Sequence, residues 1–444
     1  MQEGGWKVKN LFKYLPNYIQ NTIVSNYGVY QTNIRYKRNL GKPYSDIYSN
    51  NTVEDEEKIN ILLRSIVKHA VETVPFYKKI YRLDPFKIEN FTKDDLVNAF
   101  PVINKEIVQE NLNDFISEDY KMNSLIEMRT SGTTGSPGRY FASKGDRARN
   151  YFFFRNILKS LGADYNSKSC TIAARPIGGI KPKQISNMDY YNNTLYLSSF
   201  KFNKDTIKYY IEALNKFKPI YIDSFPSSIH SIVLLAEAQG LKLNFKLRFL
   251  ILSSETISEK HRIAIRRFFK DPILIDQYGS VEMVASLWRA DRAPFHLDSY
   301  YSIPEFLDAE NGAFNFISTS LIRKAMPLIR YDTNDLVHLN KKEEVVEIIG
   351  RVEDTIVTPN GNRVQRFDSI YKGIEGINEG QVVQVRTDLI EVRIVVTSKF
   401  NSNDELQIKK NTEYYLQDKV EVKVKCVSEI PRTKSGKFKA VVSL

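Results

Sequence analysis

Residues 249–279 read FLILSSETISEKHRIAIRRFFKDPILIDQYG. An unbroken apolar run ends in two serines. A helix-forming stretch from Glu255 to Phe269 follows, and a second short apolar run ends in Gln277, Tyr278 and Gly279. Apolar runs without polar alternation belong to strands covered on both faces, and strand–helix–strand at this interval is a crossover unit of a largely parallel sheet. The same alternation extends over about residues 126–350, through CTIAARPI, DTIKYYIEALNKF, PIYIDS and SSIHSIVLLAEAQG. Ligands of such sheets sit beyond the carboxyl ends of the strands. The segments to search for chemistry are therefore those ending in Ser253–Ser254, in Gln277–Tyr278–Gly279, and near Arg129–Gly132.

Outward from this centre, Ile59, Leu62, Leu63, Ile66 and Val67 carry helical spacing in a helix that ends near Pro75. Thr92 is placed to cap a helix with Asp95 three residues on, and Pro101 stops it. Residues 1–100 are thus expected to be largely helical. Beyond Asp354 the texture changes to alternating strands, QVVQVRTDLIEVRIVVTS and KVEVKVKCVSEI, around a helical DELQIKKNTEYYLQ. The expected fold is a large N-terminal α/β domain over residues 1–353 and a small α+β domain over 354–444.

The chain has 444 residues, enough for more than one core. Its two cysteines, Cys170 and Cys426, lie far apart without metal-ligand spacing, so no structural zinc is expected. The start lacks a leader-like apolar core and no run reaches the ~18 apolar residues of a membrane span, which points to a cytoplasmic protein. Sixty-four basic against 52 acidic residues give +12. That excess attracts anionic substrates, but zinc-finger, RGG and RNP-like patterns are missing, and no nucleic acid is expected as partner. Lys7, Lys9 and Lys13 among Trp6, Leu11, Phe12, Tyr14, Leu15 and Ile19 allow at most peripheral membrane contact. Pro16 interrupts a helix there, and packing on the main domain is the plainer reading. Of the five histidines, His230 and His261 fall on helices and His296 in a loop, and none is assigned to catalysis.

The sharpest chemical signal is Arg129–Tyr140, RTSGTTGSPGRY. Gly132, Gly135 and Gly138 let the backbone turn its amides inward, while Thr130, Ser131, Thr133, Thr134 and Ser136 add hydroxyl donors, a composition able to wrap a polyphosphate. It is not a Walker loop, because no lysine follows. By composition alone it is equally a tight Ser/Gly surface turn.

Together with LSSETIS, DQYGSVE, MPLIRYDTNDLV, GRVEDTI, GNRV and PRTKSGK, in that order along nearly the whole chain, this loop resembles the adenylate-forming enzymes. The likeness is to the branch of phenylacetate-coenzyme A ligases that includes CapK-type polysaccharide biosynthesis proteins. It implies that Ser131, Gly132, Thr133, Thr134 and Gly135 hold the β- and γ-phosphates of ATP. It also implies that Ser253, Ser254 and Glu255 line adenine through their backbone, that Tyr278 with Gly279 stacks on the base, and that Glu282 holds Mg²⁺. Asp335 then accepts the ribose hydroxyls, Arg351 contacts ribose or phosphate, Asp354 is the hinge, and Lys437 enters the site for adenylation. Lys437, Glu282 and Thr133 are the expected catalytic set. Arg175 and the pair Phe225–Pro226 are further candidates for the acyl pocket.

The sequence departs from the pattern at Val281, where a Thr or Ser is usual, and at Asp332 and Asn334, where Arg and Gly are usual. Left-handed backbone is tolerated by Asn better than by most residues, so the turn at 334 can survive. The implied reaction joins a carboxylic acid to AMP and then to an acceptor: coenzyme A, an amine or a sugar-linked group. A homodimer is compatible with this reading. A non-CoA ligase or adenylyltransferase, and a retired nucleotide-binding protein, are the alternatives.

Overall fold

The computed structural model describes residues 12–40, 44, 46, 55–81, 85–130, 138–173, 177–179, 181, 183–199, 201–309, 312–351, 356–359, 363–364, 367–371, 374, 376–416, 419–432 and 438–443. Among the helices that precede the sheets are α1 (Asn17–Arg35), α2 (Glu56–Thr73) and α3 (Pro75–Ile80), with short helices over Leu96–Ala99 and Lys105–Glu110 after them. Asp55 caps α2 by accepting from the N–H groups of Glu57 and Lys58, and Pro75 ends it and opens α3. Thr92 N donates to Asp95 Oδ2 at 2.9 Å in a capping box, over a 3₁₀ turn at Lys93–Asp95 that runs on into a short α-helix, Leu96–Ala99, ending before Pro101.

A hairpin of β1 (Ile126–Arg129) and β2 (Arg139–Ala142) leads into α4 (Lys144–Ser160), capped by Ser143 and Asp146. The large sheet follows, with β3 (Ser169–Ala173), β4 (Ser186–Asp189), β5 (Thr194–Ser198), β6 (Tyr221–Ser224), β7 (Phe249–Ser253), β8 (Ile273–Gly279), β9 (Ser286–Ala290) and β10 (His296–Leu297). Its order is β10-β9-β8-β7-β6-β3-β5-β4, and the run from β8 to β5 is parallel throughout. The connections carry α5 (Ile207–Phe217), α6 (Pro226–Ala238) and α7 (Glu259–Phe269). Strand β7 shows why its run is unbroken. Leu250 and Leu252 pack into the core shared with α5–α7, whereas Phe249 and Ile251 point to the opposite face, under Ile157 and Leu158 of α4.

The parallel alternation stops at Gly279. Strands β11 (Ser302–Asp308), β12 (Phe314–Ser320), β13 (Tyr331–Leu339) and β14 (Val345–Arg351) form an antiparallel meander. His296, expected in a loop, pairs with Trp288 in a short strand. The smaller C-terminal domain holds the short pair β15 (Ile356–Val357) and β16 (Arg363–Val364), then β17 (Ile377–Arg386), β18 (Leu389–Val396), α8 (Ser402–Leu416), β19 (Glu421–Cys426) and β20 (Val441–Val442). Its own core joins Val382, Ile390, Val392, Ile394, Ile408 and Leu416.

Helix α1 is unusual in what it buries: Gln20, Asn21, Gly28 and Thr32 face inward with Ile34, while Tyr18, Ile23, Tyr27 and Tyr30 are exposed. The reason is its neighbour β4, the end strand of the sheet. Asn21 Oδ1 accepts from Met188 N at 3.0 Å, and Ser25 Oγ accepts from Tyr190 N at 3.0 Å. Gly28 lies so close that a Cβ there would stand 2.1 Å from Asp189 Oδ2. Among the described residues no helix is long and apolar enough to cross a membrane.

Candidate functional site

The carboxyl ends of β7 and β8 lie side by side, with Ser253 paired to Gln277. Immediately after β7, Ser254 takes φ +70°, a left-handed angle that side chains other than glycine adopt at a cost. Glu255 follows, and its carboxylate is tied down. Oε2 accepts from Ser227 N at 2.9 Å, and Oε1 accepts from Ser227 Oγ at 3.0 Å and from Phe438 N at 2.8 Å. Burial pushes the Glu255 carboxyl up, and the donated N–H bonds oppose that shift. Phe225 is the N-cap residue of α6 and Pro226 its first residue, both at the end of β6.

Beyond β8, Tyr278 Oη donates to Asp335 Oδ2 at 2.5 Å, and the Tyr278 ring lies 6.1 Å from that of Phe316. Burial, then the Asp335 charge, hold the Tyr278 phenol well above its ordinary range. Asp335 stands directly opposite Arg351 in the β13–β14 register. The candidate adenine and ribose residues are thus one hydrogen-bonded group.

The turn that presents Asp335 uses the two departures noted in the sequence. Asn334 takes φ +57°, and its N–H donates to Asp332 Oδ1 at 2.8 Å. Burial pushes the Asp332 carboxyl up, while the Asn334 N–H favours its anion. Asp332 is therefore occupied in shaping the turn.

Glu282 is buried, and among the described residues its carboxylate has no ion-pair partner. Its position is fixed through the backbone. Arg323, fully buried, donates Nη1 to Glu282 O at 2.7 Å, Nε to Met326 O at 2.8 Å and Nη2 to Phe141 O at 2.8 Å. Burial and the nearby Glu282 charge raise the Tyr140 phenol. The hydroxyl of Ser280, two residues before Glu282, is buried without a hydrogen-bond partner among the described residues. Among the described residues no group of three or more His, Cys, Asp or Glu gathers to cage a metal. A buried carboxylate without an ion-pair partner, two residues after an orphaned hydroxyl, fits Mg²⁺ that is shared with substrate phosphates, since this ion keeps few protein ligands.

Ser131–Gly135, Arg175, Asp354 and Lys437 lie outside the described residues, and Arg351 is described only as part of β14. The neck of the glycine-rich loop is described: Thr130 N donates to Gly138 O at 3.0 Å, and Gly138 N donates to Thr130 Oγ1 at 2.8 Å. The loop therefore springs from the closed end of the β1–β2 hairpin. Sequence reasoning passed over Arg323, whose segment SLIRKAM reads as an ordinary charged turn. It also gave no role to the His230–His261 pair, whose ring centroids are 4.8 Å apart. Burial brings these imidazoles down to about 4 and about 3.

Residues 356–444 match the CapK C-terminal domain family. The chain is 22% identical to Protein CapK of Staphylococcus aureus across 98% of either chain. It is also 22% identical to phenylacetate-coenzyme A ligase of Pseudomonas putida, covering 86% of this chain and 84% of that one. Among solved structures, 2-hydroxyisobutyryl-CoA ligase in the postadenylation state with 2-HIB-AMP superposes with a TM-score of 0.68 at 15% identity, covering 87% and 89% of the two chains.

Proposed function

Because the chain belongs to the adenylate-forming, AMP-binding superfamily, in the branch of phenylacetate-coenzyme A ligases and CapK, we propose that it activates a carboxylic acid with ATP and passes the acyl group to an acceptor. The observation that supports this best is the bond from Tyr278, at the end of β8, to Asp335 of β13, with Glu282 buried four residues beyond Tyr278. A carboxylate held by a tyrosine beside a flat ring suits a nucleoside, and a second carboxylate without a cation suits its metal-bound phosphates.

In the first half-reaction an oxygen of the acid's carboxylate attacks the α-phosphorus. A new P–O bond forms, the bond to the bridging oxygen breaks, and pyrophosphate leaves. Asp335 orients the ribose, the 131–135 loop holds the departing phosphates, and the Lys437 ammonium offsets charge building on the reacting oxygens. Mg²⁺, when bound, neutralises phosphate charge. In the second half-reaction an acceptor nucleophile attacks the acyl carbon and AMP leaves. Coenzyme A is the acceptor this reading favours, because it is the acceptor named for relatives in this branch. A place in polysaccharide biosynthesis rests on the CapK likeness alone. The domain boundary near Asp354 and a turning of the C-terminal domain about it belong to the same proposal.

ATP–pyrophosphate exchange over a panel of aliphatic, aromatic and hydroxy acids tests it. Acid-dependent exchange for one class is the expected result, and no exchange with any acid, from folded protein with Mg²⁺, removes the reading.

A further inference from the structure

Glu255 has a side chain that its position beside the base leaves over. Its carboxylate receives three donors from two domains. Two come from Ser227, in the first turn of α6, where backbone N–H groups lack intrahelical partners and a negative charge is favoured. The third is the backbone N–H of Phe438, 183 residues further along the chain. Phe438 follows Lys437 directly, so one peptide unit of fixed geometry separates the bonded amide from the Lys437 Cα.

Other contacts hold the same face. Lys260 Nζ reaches Ile377 O, Ser231 Oγ donates to Glu379 Oε1 at 3.3 Å, and Arg432 pairs with Glu379 while its guanidinium lies 4.8 Å from the Phe438 ring centre. The bonds from Lys260 and Ser231 fasten the bodies of the two domains, while Arg432 ties Glu379 to Phe438 within the smaller one. Glu255 is the large-domain residue that bonds the main-chain N–H next to Lys437.

We propose that Glu255 is a positioning residue for Lys437. Its carboxylate registers the lysine-bearing segment against the end of β7 for the acid-activating step and releases it for transfer, while its bonds to Ser227 persist. This rests on the acid-activation reading above. A carboxylate suits the task because three donors converge on two acceptor oxygens. Glutamine has the same shape but one acceptor oxygen, and its NH₂ group would face a donor. The anion also makes the stronger bond while engaged, and keeps two donors when Phe438 leaves.

The test uses the full-length protein and two readouts. Hydrogen exchange of residues 438–443 without ligands should be faster in Glu255→Gln than in wild type. In ATP–pyrophosphate exchange with an acid the wild type accepts, Glu255→Gln should lower kcat by about tenfold, with the KM for ATP changed less than about threefold. Transfer from chemically prepared acyl-AMP should keep its rate. Because Glu255→Gln also weakens the cap of α6, Phe438→Pro and Phe438→Leu form a second pair: the first deletes the N–H, the second keeps it, and only the first should reproduce the defect. Wild-type exchange protection and kcat in folded Glu255→Gln, or equal slowing of both half-reactions, overturns the proposal, and so do equal effects of the two Phe438 variants. If wild type exchanges pyrophosphate with no acid, the functional reading fails. Unchanged hydrogen exchange in the variants sinks the latch independently.

Discussion

Tyr278 Oη donates to Asp335 Oδ2 at 2.5 Å, so the tyrosine at the end of the parallel sheet and the carboxylate on the antiparallel sheet are held as one unit. Tyr278→Phe keeps the ring and releases the carboxylate, whereas Asp335→Ala removes the proposed ribose acceptor. Asp335→Ala should weaken ATP binding by about tenfold or more. It should cost 2′,3′-dideoxy-ATP much less, because that analogue lacks the hydroxyls. Tyr278→Phe should weaken both nucleotides to a similar, smaller extent. Calorimetric titration of both ligands decides it, and equal losses for Asp335→Ala would place that residue away from ribose.

Glu282→Gln should leave the fold intact, since Arg323 holds residue 282 by its backbone carbonyl rather than its side chain. Productive ATP use should fall most at limiting Mg²⁺, because in the proposed role the charge rather than the shape of the side chain serves the metal. Turnover measured against Mg²⁺ concentration is the check, and a wild-type curve would end the assignment.

Lys437→Ala should slow acyl-AMP formation by roughly 10²-fold while ATP affinity changes little, the scale of losing one strong donor to a developing charge. Rapid-quench measurements should find transfer from preformed acyl-AMP preserved. Equal slowing of both steps would give the lysine a general structural part instead.

The buried His230–His261 pair makes stability depend on pH. Both imidazoles are held neutral, at about 4 and about 3 against about 6.5 in an unfolded chain. Their contribution is complete above pH ~6.5 and is lost as pH falls toward 4 and below, with a slope approaching about 1.4 kcal/mol per pH unit per histidine. Urea unfolding between pH 7 and pH 4 should show this slope. It should be shallower in His230→Leu, which also removes an Nε2 that has no partner among the described residues.

Ser254 at φ +70° should accept glycine without loss. Ser254→Val should cost about 1–3 kcal/mol, since a branched Cβ in that region is strained. Thermal unfolding of the two variants checks the backbone that carries Glu255.

What the sequence made legible were features whose cause is local. The apolar runs of β3, β6, β7 and β8 and the helices between them follow from covering one sheet on both faces. The two departures at Asp332 and Asn334 were visible as departures, but their cooperation in one turn was not. The meander from β11 to β14 was obscured because Ser302, Ser318, Thr319 and Ser320 are buried polar residues, the last three with partners such as Val284 O, Arg330 N and Met283 O, so the alternation of apolar and polar positions fails there. Contacts that join distant segments left no trace: Glu255 with Phe438, and Arg323 with Phe141 and Glu282.

The polar inward face of α1 has a bearing on solubility. Strand β4 ends the large sheet, and an end strand offers its outward N–H and C=O groups to any extended chain that drifts near. Asn21 and Ser25 occupy those groups at Met188 and Tyr190, and the close seat at Gly28 leaves no room for a competing strand. Helix α1 is thus a cover on the end strand, placed where an open edge would otherwise let sheets of separate molecules add to one another and grow into fibres.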